Sequence, residues 1–236
     1  AQDANRLDAE DDAGVTPTDT LKAFCNVERY GTNTVPGTTD MTTALANAAL
    51  ASVAGAGDVI VSSLIRITAN TTLPAGATLR FEQGGQITVD AGDTLTINSK
   101  ILAVCSQIFT GSGTVVYGAY TASREATAYP EWFGAVHDNS TNDRNAIQAA
   151  IDMVAPAYGA VSLSTGSYRV TSTLTTRNRV RIYGANRIGT VIVFAPTAND
   201  DSLFEDDPVG TDNCEFEYFG VTGTGSATGK RGFTIS

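Results

Sequence analysis

The sequence predicts an all-β chain built as a solenoid of stacked coils with short capping helices. Three observations carry that prediction. Short apolar runs, several alternating with period two, are separated by Gly, Asn, Asp and Thr. A helical stretch precedes each series of such runs. The whole helix-plus-strands unit occurs twice at a constant offset.

Residues 1–22 are dominated by Asp, Glu, Ala and Thr with no apolar period, so a flexible leader is expected there. From Cys25 the texture changes. Val59-Ile60-Val61, Thr78-Leu79-Arg80-Phe81, Gln86-Ile87-Thr88-Val89, Thr94-Leu95-Thr96-Ile97 and Val115-Val116-Tyr117 are strand-sized, with Gly76, Gly84, Gly85 and Gly92 marking turns. Two stretches read as helices instead. Met41 to Ala54 is Ala-rich with Leu45 and Leu50. Arg144 to Val154 carries Ile147, Ala150, Ile151 and Val154 as one apolar stripe. Asp40 and Asp143 directly precede these helices, where a carboxylate can accept from first-turn N–H groups and suits the helix dipole.

Tyr30-Gly31 and Phe133-Gly134 lie 103 residues apart, as do Asp40 and Asp143. The predicted organisation is therefore a leader (1–22), a first helix-capped β-rich unit (23–128) and a second unit (129–236), with 118–129 as linker. In the second copy, strands at Val161, Val180 and Leu203 are spaced 19 and 23 residues apart, with further strands at Tyr168–Val170 and Val191–Phe194. Coils of that length stack about 4.8 Å apart, and each buries its inner face only against a neighbour. An amphipathic helix covers the open first coil.

Composition excludes several classes. The 236 residues carry 15 Lys and Arg against 25 Asp and Glu, a formal net charge of −10, which disfavours nucleic-acid binding. At 42% hydrophobic and 17% charged residues the chain can build a core. No apolar run approaches the roughly 18 residues that cross a bilayer, so no membrane insertion is expected. The opening AQDANRLDAEDDAGV has no secretory-signal pattern and no Met start, so processing or origin in a longer chain is expected. Cys25, Cys105 and Cys214 form neither a disulfide framework nor a CxxC metal pair and are expected to be free thiols, as in a reducing cytoplasm. With a single histidine, His137, no cofactor or metal is expected.

Pro130-Glu131-Trp132-Phe133-Gly134-Ala135-Val136, then Asp138, Asp143 and Ala146-Ile147-Gln148-Ala149-Ala150-Ile151, resembles the opening of the pectate-lyase-like β-helix of bacteriophage tailspikes. Gly159-Ala160-Val161-Ser162-Leu163, Gly166-Ser167-Tyr168-Arg169-Val170 and Val180-Arg181-Ile182-Tyr183-Gly184-Ala185 continue it. The resemblance covers 129–195 closely, 23–128 loosely and 196–236 in texture. His137-Asp138-Asn139 replaces the usual Gly-Asp-Gly, and Arg144-Asn145 replace an Asp and a Thr. The resemblance implies a right-handed parallel β-helix, a homotrimer, and a body longer than this chain. It also implies a place in the virion tail after assembly in the host bacterial cytoplasm. Contact with other tail or head proteins would run through the N-terminal part, making residues 1–22 a virion anchor.

Two groups of residues could carry chemistry. Arg177, Arg179 and Arg181 alternate with Val180 and Ile182 and, on one strand, would present three guanidiniums outward to the carboxylates or sulfates of an acidic polysaccharide. A solvated face, or pairing with acids on the next coil, is the alternative. Asp200, Asp201, Glu205, Asp206, Asp207, Asp212, Glu215 and Glu217 form a run without Lys or Arg. Within it Glu215 and Glu217 share an outer face, about 7 Å apart, compatible with a glycosidase acid/base pair or with ordinary surface carboxylates. A calcium site from these acids lacks the ordered Asp-x-Asp-x-Asp-Gly loop. His137 reads as an exposed loop histidine with no triad around it. Trp132, Tyr129, Tyr120 and Tyr117 read as packing near the linker before sugar stacking.

The expected function is a tailspike or tail-fibre segment for virion attachment and recognition of host surface polysaccharide. The alternative is a polysaccharide depolymerase, glycosidase or lyase, with its catalytic centre expected downstream of this chain. Neither the Asp-Asp and Gly-His-Gly constellations of polygalacturonases nor an Arg-Lys lyase centre is present. A secreted bacterial lyase is disfavoured by the missing signal and disulfides.

Overall fold

The computed structural model describes residues 25–118, 126–197, 202–205, 214–224 and 231–234. The expected leader and most of the expected linker lie outside these residues.

Strand β1 (Cys25–Asn26) leads through a 3₁₀ turn at Val27–Arg29 to helix α1 (Thr42–Ala51), which unwinds over Ser52–Ala56. Three full coils follow, each of three strands. The first holds β2 (Val59–Val61), β3 (Leu64–Ile67) and β4 (Thr71–Leu73). The next holds β5 (Thr78–Phe81), β6 (Gln86–Val89) and β7 (Thr94–Ile97). The third holds β8 (Lys100–Leu102), β9 (Phe109–Gly111) and β10 (Thr114–Tyr117). They pair in parallel as three faces, β1-β2-β5-β8, β3-β6-β9 and β4-β7-β10. This is a parallel β-helix.

The pattern then repeats. Strand β11 (Thr127–Ala128), a 3₁₀ turn at Pro130–Phe133 and β12 (Asp138–Asn142) lead to helix α2 (Arg144–Val154). The next coils hold β13 (Ala160–Leu163), β14 (Gly166–Val170) and β15 (Leu174–Thr175), then β16 (Arg181–Gly184), β17 (Thr190–Phe194) and β18 (Ser202–Glu205). Strands β19 (Glu215–Glu217), β20 (Gly220–Gly223) and β21 (Arg231–Thr234) form another. Again there are three parallel faces, β11-β13-β16-β19, β12-β14-β17-β20 and β15-β18-β21.

Period-two alternation explains why each strand stands where it does. In β3 and β6, Ile65 lies over Ile87 and Ile67 over Val89, all buried, while Arg66 and Thr88 point outward. Stacking like on like buries each apolar side chain against the coils above and below, and the polar alternates coat the surface.

Two sequence expectations change. Leu203 is not the next turn of the face carrying Val161 and Val180, because β18 pairs with β15 on the third face. Phe216 takes that place, with Val161 over Ile182 and Ile182 over Phe216. A longer connection between β18 and β19 breaks the even spacing.

The second change concerns the repeat. Met41 and Asp143 are the true equivalents at the helix starts. Their N–H groups donate to the carbonyls of Arg66 (2.9 Å) and Arg169 (2.8 Å), and their carbonyls accept from Leu45 and Ile147. The offset there is therefore 102, and Asp40 corresponds to Asn142. Both cap alike. Asp40 Oδ1 accepts from the Thr42 N–H at 2.9 Å, and Asn142 Oδ1 from the Arg144 N–H at 3.3 Å. Asp143 makes no side-chain cap, contrary to the expectation.

The helices differ as their sequences do. Helix α1 packs Ala44, Leu45, Ala48 and Ala49 onto the first stack and leaves Leu50 exposed, so it closes one end. Helix α2 packs against β10 of the first stack and against β11, β13 and β15 of the second. Its buried surface therefore exceeds the predicted stripe and includes Ala146, Met153 and Gln148. The Gln148 amide is satisfied by the Thr175 N–H (2.9 Å) and carbonyl (3.0 Å), which fixes the helix to β15.

Candidate functional site

The three arginines do not share a strand. Leu174–Thr175 ends β15 and Arg181 begins β16, while Arg179 between them has φ 58° in a turn. Val180 and Ile182 are buried and the guanidiniums lie outside the coil, so the facing is as expected and the continuous stripe is absent. Each arginine has its own partner. Arg177 donates through Nε to Asp152 Oδ1 of α2 at 3.0 Å. Arg179 stands over the Tyr158 ring at 5.2 Å. Arg181 donates to Glu217 Oε2 at 2.5 Å, lies 3.9 Å from Glu215 and stacks on Tyr183 at 4.9 Å.

Strand register makes the last pairing. Arg181 lies over Glu215 and Tyr183 over Glu217, so both carboxylates flank one guanidinium on the outer face. Phe216 between them turns inward onto Phe204, with ring centroids 4.7 Å apart. The hydrogen bond that Arg181 donates to Glu217 raises the already high pKa of the guanidinium. Glu215 and Glu217 thus share the predicted face, engaged with a cation of the neighbouring coil. Arg66 with Asp90 (2.5 Å) and Arg80 with Asp58 (2.6 Å) repeat the device on the first stack. Of the remaining acidic run, Asp200, Asp201, Asp206, Asp207 and Asp212 lie outside the described residues, and Glu205 is exposed. Among the described residues no group of three or more His, Cys, Asp or Glu could hold a metal ion.

A buried polar cluster at the start of the second stack escaped the sequence reading. Glu131, only 3% exposed, accepts from the Tyr168 hydroxyl at 2.6 Å. That hydroxyl also accepts from the Ser164 N–H at 2.8 Å. Burial and the neighbouring carboxylate push the Tyr168 phenol far up. His137, rather than being a freely exposed loop histidine, is a third exposed, at 33%, with Nε2 3.8 Å from Glu131 and its ring 5.4 Å from that of Tyr168. Asp143 accepts from the N–H groups of Val136 (2.8 Å) and His137 (3.2 Å), and burial pushes its carboxyl up against those bonds. Glu131 Oε2 has no hydrogen-bond partner among the described residues. The cluster holds the loop before β12 against β14. Glu131 and Tyr168 are separated by 37 residues, and no local pattern announces their pairing.

The aromatic group near the linker packs. Trp132 and Tyr117 are buried, Trp132 Nε1 donates to the Val104 carbonyl at 3.2 Å, and the Tyr117 hydroxyl donates to the Thr127 carbonyl at 3.1 Å. Tyr120 lies outside the described residues. No disulfide joins the cysteines, with Cys25 buried, Cys105 exposed and Cys214 half-buried, and the Cys25 and Cys214 thiols donate to the Ala56 and Arg177 carbonyls. Two clefts flank the junction between the stacks. One of about 590 Å³ lies beside Lys100, Tyr129 and Trp132. The other, about 350 Å³, runs between the third coil and α2.

A family model described as rhamnogalacturonase A/epimerase, pectate lyase-like, matches residues 131–224. The matched stretch begins inside the turn before α2 and runs through β20, so the part of the chain similar to that family is the second parallel β-helical stack. No curated protein and no solved structure matches the chain significantly.

Proposed function

We propose that the chain is a tail-associated segment of a bacteriophage, a tailspike or tail-fibre part that recognises host surface polysaccharide and assembles as a homotrimer. The observation that carries the reading is the pectate lyase-like β-helix over residues 131–224, since proteins named for that fold act on polysaccharides. The helix-capped coils, polar outer faces and acidic balance support a rigid adhesive body. On this proposal residues 1–22 anchor the segment to other virion proteins, and 23–128 and 129–236 are successive units.

A depolymerase reading for these residues is weaker. Glu215 and Glu217 flank Arg181 on the outer face, and no general acid standing in an apolar pocket accompanies them among the described residues. An acidic polysaccharide at this face would have to displace Glu217 and Asp152 from Arg181 and Arg177.

The testing experiment measures binding of the chain to capsular and lipopolysaccharide preparations from a bacterial panel, with reducing-sugar release followed in parallel. Retention on one preparation without sugar release is the expected result. Sugar release abolished by Glu217→Gln would establish the depolymerase reading instead. Retention on none would overturn both.

A further inference from the structure

The cleft between the third coil and α2 has the makings of a second binding surface, separate from the Arg181 face. Its volume, about 350 Å³, lies within the range of small-molecule sites, roughly 300–1,000 Å³. Thr110 and Thr114 line it from β9 and β10, and Phe133 from the turn before β12. Asn145, Ala149 and Asp152 line it from α2. The spacing of those last three, four and then three residues, puts them on one helix face, opposite the stripe buried in the second stack.

The chemistry of this lining is selective. Phe133 is half-buried, backed by Phe109 with ring centroids 5.4 Å apart, and offers an apolar plane. The Thr114 hydroxyl and the Asn145 amide nitrogen have no hydrogen-bond partner among the described residues. Thr114 and Asn145 are both exposed. The carboxylate of Asp152 is already neutralised by Arg177 at 2.9 Å, and no Lys or Arg lines the cleft among the described residues. An anion meets no free cation in this lining, and a cation must compete with Arg177. A neutral chain of hydroxyl-bearing rings finds donors, acceptors and an aromatic face.

We infer that this cleft binds a neutral oligosaccharide at the junction of the two β-helices. The inference rests on the polysaccharide-recognition reading and adds the place and charge class of the ligand. Because the cleft is walled by both stacks, its occupant also bridges them, and binding couples to the stability of the junction.

The test uses the full chain with cellohexaose, maltohexaose, mannohexaose and chitohexaose as probes and hexagalacturonate as the acidic comparison, read by NMR titration. The expected result is saturable binding of at least one neutral hexasaccharide with no binding of hexagalacturonate. Thr114→Ala with Asn145→Ala should then weaken it at least fivefold, Ala149→Arg should abolish it, and Lys100→Ala, beside the other cleft, should leave it unchanged. Both lining positions are exposed, so circular dichroism should be unaltered. No neutral hexasaccharide binding, or binding insensitive to Ala149→Arg, overturns the inference. If the chain is retained on a surface polysaccharide while the hexasaccharides fail, the junction site falls and the general reading stands. If the hexasaccharides bind as described but no surface polysaccharide is retained, the general reading falls alone.

Discussion

Replacing Tyr168 by Phe tests the buried polar cluster most sharply. The ring is fully buried, so its packing survives the substitution and only the hydroxyl is lost. That hydroxyl makes a 2.6 Å bond to the Glu131 carboxylate and accepts a 2.8 Å bond from the Ser164 N–H. The first is charge-assisted and contributes about 1.5–3 kcal/mol, the second about 1 kcal/mol. The loss leaves the Glu131 carboxylate without a hydrogen-bond donor, because Oε2 has no partner among the described residues. A destabilisation of about 3 kcal/mol follows, read by urea unfolding at neutral pH as a midpoint shift on the order of 1 M. Tyr117→Phe is the internal reference. It removes one neutral bond to the Thr127 carbonyl and should cost about 1 kcal/mol. Glu131→Met combined with Tyr168→Phe removes both partners and should cost less than the two single changes together, with a coupling of about 1–3 kcal/mol. A Tyr168→Phe protein within about 0.5 kcal/mol of the parent, or strictly additive costs, would refute the reasoning.

Three further outcomes are expected. Leu45→Ala on the inner face of α1 should cost about 2–5 kcal/mol, and Leu50→Ala, at 61% exposure, less than about 0.5 kcal/mol in the same unfolding assay. The Thr42 hydroxyl and N–H hold the Asp40 carboxyl below its ordinary value. Its stabilisation is therefore complete above the unfolded value near 3.9 and is lost as the pH falls through the lower folded value. Asp40→Asn should flatten the decline in melting temperature below about pH 4. Gly166 has φ 145°, and a Cβ there would run into the His137 ring, so Gly166→Ala should lower the melting temperature and shift the His137 NMR resonances.

Much of the fold was legible because stacked coils write themselves as period-two runs. Thr78–Phe81, Gln86–Val89 and Thr94–Ile97 needed only their alternation, and Val59–Val61 its run of three β-branched residues. Thr71–Leu73 and Leu174–Thr175 were missed because two or three residues carry no period. The repeat was visible, but matching Asp40 to Asp143 placed it one residue out. Identity favoured two aspartates, whereas the backbone hydrogen bonds equate Asp40 with Asn142. The Arg177 to Arg181 stripe failed for a different reason. Alternation also occurs across a turn, and the left-handed Arg179 gives no warning in its residue type. Pairing of Arg181 with Glu217 was one of the two readings left open, and only the register of β16 on β19 decides it. Burial of Glu131 and the second packed face of α2 depend on a neighbouring stack, which a local pattern does not contain.

The proposal of a tail-associated β-helix is tested most directly by the native mass of the chain, measured by light scattering in buffer near neutral pH. A trimer, three times the 24.5 kDa chain mass, is the expected result. A stable monomer across the accessible concentration range would contradict the tailspike reading.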